Sequence, residues 1–137
     1  MAYSPKRAAV AAQAACDAMT PLLNSGKLNI YAVGSGVPAT ADTAITDQPL
    51  LAELTLAATA FGAADATGKA TANTITGDTS ANNTGAASFF RLLTSGSVCR
   101  FQGLCGTSVS DLNLNSTAIQ AGAAVDVTLL TITEGLG

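Results

Sequence analysis

The sequence predicts a mainly β protein: an antiparallel β-sandwich or barrel-like domain preceded by one N-terminal α-helix. Two observations carry this expectation. Beyond residue 26 apolar and polar residues alternate over short runs, the period of a half-buried strand. Clusters of Gly, Asn, Ser and Thr separate those runs at short intervals, with no second long helical period. Length adds a bound, because 137 residues suit one domain that buries roughly two thirds of its unfolded surface in a single core.

The helix comes first. Ser4-Pro5 reads as an N-cap followed by proline at the first helical position, where its missing N–H costs nothing. Ala8, Ala12, Ala15 and Met19 follow at helical spacing. Thr20-Pro21 repeats the start signal and Gly26 supplies a stop, so the spacing predicts a helix of about 15 residues, kinked near Pro21. Lys6 and Arg7 sit at the positive end of the helix dipole, which predicts a contact from outside the helix to hold them. The same stretch imitates an export signal. Its apolar run is alanine broken by Gln13 and Asp17, however, and lacks the leucine-rich centre such signals use. Residues 1–26 therefore read as an N-terminal helical arm and residues 27–137 as the antiparallel β domain.

In "KLNIYAV" (27–33) Leu28, Ile30 and Ala32 share one face, and Asn29, Tyr31 and Val33 the other. "GSGVPATADTAITDQP" (34–49) is a loop, too polar for a core. "LLAELTL" (50–56) is a strand with Leu50, Ala52, Leu54 and Leu56 inward. "GKATANTITGD" (68–78), "SFFRLLT" (88–94), the stretch around "CRFQGLC" (99–105), "SDLNLNS" (110–116) and "AVDVTLLTIT" (124–133) complete the strand set. "GDTSANNTG" (77–85), "TSGS" (94–97) and "NSTAIQAGA" (115–123) read as turns and loops.

Three cysteines, Cys16, Cys99 and Cys105, occur in a chain with no histidine. Placing Cys99 opposite Cys105 predicts a hairpin with "FQG" as its three-residue loop and Gly103 at the left-handed position. Zinc usually requires four ligands, and three separated cysteines without histidine supply a poor site. A nucleophilic cysteine requires a base, and the six-residue separation is not that of a redox CxxC. Two uses stay open. The cysteines are reduced and buried as small hydrophobes, or they form disulfides, either Cys99–Cys105 with Cys16 left over, or bridges between subunits.

Composition excludes several function classes. Hydrophobic residues make up 48% of the chain but aromatics only 4%, so the apolar material is small and favours closely spaced layers or help from neighbouring subunits. Charged residues are 11%, against about 25% in typical soluble domains, which suits a surface packed against other protein. The net charge is −3 and the basic residues are scattered, which speaks against a nucleic-acid partner. No apolar run approaches the ~18 residues that cross a bilayer. The acidic residues form no recognisable acid/base pair, and a hydrolase is not expected. Asp78, Asn82 and Asn83 fit a polar turn better than a calcium loop. No cofactor, metal or catalytic residue is predicted; the surface is expected to be the functional part.

"LNIYAVGSGVPATADTAITDQPLLAELTL" (28–56), "ANTITGDTSANNTGAASFFRLL" (72–93) and "GTSVSDLNLNSTAIQAGAAVDVTLLTIT" (106–133) resemble a group of small virion structural proteins of tailed bacteriophages and prophages. With the helix, the likeness covers nearly the whole chain. The cysteine stretch departs from the family pattern, in which that segment is a plain strand pair. The resemblance implies a non-enzymatic virion component. Capsid decoration, or cement, comes first: homo-oligomers such as trimers on the capsid surface, bound to the major capsid protein or other virion proteins. A neck, collar, tail or fibre component comes second. Within that second reading, loops 34–49 and 77–85 would contact a host surface.

Overall fold

A computed structural model describes residues 8–66, 68–107 and 112–133. The expected Ser4-Pro5 cap, the contact to Lys6 and Arg7, and the first residues of the "SDLNLNS" strand lie outside the described residues. The protein is mainly β, with a curled mixed sheet and one N-terminal helix.

Helix α1 spans Ala9–Met19 and passes at Pro21 into a 3-10 turn, Thr20–Leu23. The side chains it buries are Ala12, Cys16, Thr20 and Leu23, while Ala8 is exposed and Met19 packs partly against the core. The expected stripe through Ala8, Ala12, Ala15 and Met19 is thus rotated. Among so many alanines no large side chain dictates a face, and the docking partners choose it. Those partners hold segment 60–64. Asp17 Oδ1 accepts the Ala64 N–H at 2.7 Å, Gln13 Nε2 donates to the Ala64 carbonyl at 2.8 Å, and Asn24 Oδ1 accepts the Ala60 N–H at 2.9 Å. The described part of the arm, residues 8–26, therefore lies against the β domain. Gly26 completes the joint, because a Cβ there would overlap the Leu93 carbonyl oxygen.

The strands are β1 (Lys27–Tyr31), β2 (Leu50–Thr55), β3 (Lys69–Thr71), β4 (Gly85–Ala86), β5 (Phe89–Leu93), β6 (Cys99–Gly106), β7 (Leu112–Leu114), β8 (Ala118–Ile119) and β9 (Val127–Thr133). Seven of them form one sheet in the order β2-β1-β5-β6-β7-β9-β3, and β4 pairs with β8 separately. Pairing is antiparallel except between β6 and β7, which run parallel at Cys105–Leu112 and Gly106–Asn113. The two sheet edges approach each other through segment 72–83. Ala72 donates to Leu130 at 2.9 Å, Thr76 and Thr55 exchange bonds of 2.9 and 3.2 Å, and Asn82 donates to Leu51 at 2.7 Å. The segment expected as one strand over 68–78 is therefore a strand only at its start. Its remainder crosses from β9 to β2 and completes the curl.

The concave side is the core: Leu28, Ile30, Ala52, Leu54, Phe90, Leu92, Leu112, Leu130 and Ile132, with Cys16 and Leu23 from the helical segment. Each fully buried Leu or Ile contributes roughly 1.5–3 kcal/mol relative to exposure. Leu51 joins them beside the expected Ala52 and Leu54, because a register shift at Ile30/Tyr31 disturbs the alternation.

The predicted Cys99–Cys105 hairpin does not form. Residues 99–106 are one continuous strand paired with β5. The turn lies upstream, at Thr94–Val98: Ser97 has φ 66° and Thr94 accepts the Ser97 and Val98 amides through its carbonyl and hydroxyl, at 2.9 and 3.2 Å. Gly103 sits in the ladder opposite Phe90, so it is a strand residue and not a turn residue.

Candidate functional site

Beneath the loop between β1 and β2 the convex face of the sheet carries a polar row whose middle members, Asn29 and Arg91, are buried. Register places Glu53, Asn29, Arg91 and Gln102 side by side across β2, β1, β5 and β6. The neighbouring row holds Tyr31 and Phe89, stacked with ring centroids 5.1 Å apart and planes inclined by 12°. Alternation alone would put these side chains in water. Asn29, Tyr31, Phe89 and Arg91 are instead buried, and residues 34–48 fold back over this face, bonded to Arg91 and Gln102.

Arg91 and Gln102 hold that cover. Arg91 Nε donates to Gln102 Oε1 at 2.9 Å, Arg91 Nη2 donates to the Thr40 and Thr43 carbonyls, and Gln102 Nε2 donates to the Pro38 carbonyl at 2.8 Å. The buried guanidinium is thus met by neutral acceptors, and the burial of Arg91 and that of the loop depend on each other. Asn29 Nδ2 lies 3.4 Å from the Tyr31 hydroxyl, while Asn29 Oδ1 is buried with no hydrogen-bond partner. At the base of the loop the Ser35 hydroxyl donates to Asp47 Oδ1 at 2.8 Å, which together with a backbone bond from Ser35 lowers the Asp47 pKa. The sequence predicts only a polar loop over 34–49. Two aromatics on the polar parity of β1 and β5, and an arginine inside "SFFRLLT", were the signal that this face is covered.

The three cysteines are kept apart. Cys16, on the buried face of α1, lies in the core. Cys105 packs partly against the core, and burial pushes its thiol up to about 12. Cys99 pairs with Leu93 beyond a register shift at Leu92/Leu93, on the convex side near Arg91 and Asp42; burial raises its pKa, partly opposed by the Arg91 charge. Its thiol lies 3.5 Å from the Phe101 carbonyl. At ~3.3 Å per residue along one strand, Cys99 and Cys105 stand roughly 20 Å apart, beyond the reach of a disulfide.

Strand β6 pairs with β5 over Cys99–Leu104, and with β7 only at Cys105 and Gly106. Among the described residues the second edge of Cys99–Leu104 has no strand partner. Val98 and Leu104 are exposed beside it, at 48% and 56%. Elsewhere the wall splits where Thr71–Ile75 diverges from Val127–Leu130, leaving an open groove of about 420 Å³.

The second loop is consumed internally. Asp78 accepts the Glu53 amide at Oδ2 (3.0 Å) and the Ser80 amide at Oδ1 (2.9 Å), and Asn83 donates to the Leu50 carbonyl at 2.7 Å. These are the bonds of a polar turn. Among the described residues no group of His, Cys, Asp and Glu side chains is placed to hold a metal ion, and no helix is long and apolar enough to cross a membrane. No protein-family model matches the chain, and neither a curated protein nor a solved structure matches it.

Proposed function

We propose that this protein is a tailed-bacteriophage virion structural protein, a capsid decoration (cement) protein that stabilises the head through contacts with its own copies and with the major capsid protein. It acts by contact and catalyses no reaction. The observation that carries the reading is the edge of β6 over Cys99–Leu104, which has no strand partner among the described residues and is flanked by exposed Val98 and Leu104. Such an edge offers a row of backbone donors and acceptors to another polypeptide, and an isolated protein usually blunts it. The sequence resemblance to virion proteins supplies the setting. Cys99, on the accessible side of that edge, is the thiol best placed for a bridge between subunits, which would form after release from the reducing host cytoplasm.

The reading is tested on the particle itself. Quantitative mass spectrometry and cryo-EM of purified virions should find the chain in hundreds of copies on the capsid lattice. A dozen or fewer copies at the neck or tail would move it to the alternative role, including a host-surface module. Absence from mature particles would end the proposal. A non-reducing gel of the same particles, run beside a Cys99→Ser variant, decides whether covalent links contribute.

A further inference from the structure

Residues 34–48 are bonded mainly to themselves. Gln48 Nε2 donates to the Gly36 carbonyl at 2.6 Å, the Thr46 amide donates to Gln48 Oε1 at 2.9 Å, the Thr40 and Thr43 hydroxyls lie 3.0 Å apart, and Ser35 is tied to Asp47. The ends are held together by the Ala32 amide donating to the Pro49 carbonyl at 3.1 Å. This is the build of an Ω-loop, a compact excursion packed by its own side chains with its ends side by side. Gly34 and Gly36, with φ of 54° and 156°, stand where the loop leaves the sheet and allow backbone rotation there. Its hydrogen bonds to the sheet come from Arg91 and Gln102, two side chains bonded to each other.

We propose that residues 34–48 form a hinged strap that opens as a unit while the curled sheet stays folded, and that the Arg91–Gln102 pair is its latch. Opening breaks side-chain bonds to Pro38, Thr40 and Thr43 and leaves the strand ladders intact, so it costs less than global unfolding. It also brings water to Asn29 Oδ1, the buried acceptor that the closed strap leaves without a partner. The open form bares the Tyr31–Phe89 stack and the Arg91 guanidinium, side-chain types that dominate protein contact surfaces. The inference rests on the strap's own bonding and stands whether or not the chain decorates a capsid.

Amide exchange of the full chain followed by NMR tests it. Thr43 and Thr46 report on the strap, their N–H groups being bonded within it; the amides of β1 and β5 report on the sheet. In the wild-type chain the strap amides should be protected, yet exchange faster than those of β1 and β5. In Gln102→Ala they should speed up by about tenfold with the β1 and β5 amides unchanged. Asp47→Asn, at an exposed site that leaves the fold intact, should speed them up severalfold through the weakened Ser35 bond. Strap and strand amides that exchange at one rate and rise together overturn the proposal. So do wild-type strap amides that are unprotected and insensitive to both substitutions.

Discussion

The two faces of β1 and β5 are made by alternate residues of the same strands, yet they are buried by different means. On the concave side Leu28, Ile30, Phe90 and Leu92 meet other apolar side chains from the helix and from the rest of the sheet. On the convex side Asn29, Tyr31, Phe89 and Arg91 are buried beneath one polar loop, held there by an arginine and a glutamine. The first face is closed by many weak contacts spread over several elements. The second depends on a few directed bonds to a single segment. Equal burial therefore does not mean equal stability: the concave face opens only with the whole molecule, the convex one by moving its cover.

Adjacent phenylalanines put this difference to the largest test. Phe90→Ala empties a position enclosed by strands and should cost about 3–5 kcal/mol in urea unfolding. Phe89→Ala, one residue away, should fall at or below the lower end of that range, because the strap can settle into the space. Equal losses would erase the distinction between the faces.

Arg91 gives the next effect. Arg91→Ala removes packing and leaves the Gln102, Thr40 and Thr43 acceptors without their donor, for a loss of about 2–3 kcal/mol. Arg91→Met keeps the apolar stem and should lose about half as much, while detaching the strap to the same degree in limited proteolysis within 34–48.

The cysteines report on the two sides chemically. With iodoacetamide at pH 8 and the chain native, mass spectrometry should find Cys99 modified first, Cys105 at least tenfold more slowly, and Cys16 only on unfolding, because the thiolate must form and be reached. The Cys105 thiol is pushed up to about 12 from an ordinary value near 9. Its contribution to stability is accordingly complete below pH 9 and is lost as the pH rises towards 12. Comparing Tm at pH 8 and 10.5 for the wild-type chain and Cys105→Ala should show a smaller alkaline drop in the variant.

The smallest effect belongs to Asp47. Its folded pKa is lowered by Ser35, so the stabilisation of the strap base is present above the ordinary carboxylate range and disappears as the pH falls through the lowered folded value. An NMR titration should place the Asp47 carboxyl below the ordinary carboxylate value, and Ser35→Ala should raise it towards that value.

Much of the fold was legible in local pattern. Alternation located β1 and β2, the run "SFFRLLT" between turn clusters located β5, "TSGS" marked the β5–β6 turn, and Thr20-Pro21 marked the break at which α1 passes into a 3-10 turn. What misled was symmetry without context. Cys99 and Cys105 flank a glycine as a hairpin would, but pairing with β5 draws the whole stretch out straight, and the glycine serves Phe90. Segment 72–78 carries strand-forming residues, yet it must cross from one edge of the curl to the other and loses its ladder on the way. Of the candidate site, the unpaired edge of β6 had no signature of its own, and the covered polar row showed only in Tyr31, Phe89 and Arg91 standing on the polar parity of their strands. Both arise from which strands become neighbours.

By itself the sequence determined the elements and which of their residues can face apart, because a period of two or of 3.6 residues is a property of the local backbone. It also determined the poverty of charge and the scarcity of aromatics that limit what chemistry the chain can carry. Tertiary structure decided what covers each face. Strand order lined up Glu53, Asn29, Arg91 and Gln102 from four separate stretches, and folding of 34–48 covered the Arg91 and Gln102 end of that row while Glu53 stayed exposed. Burial is a property of what lies opposite a residue, and only the folded chain supplies the opposite side.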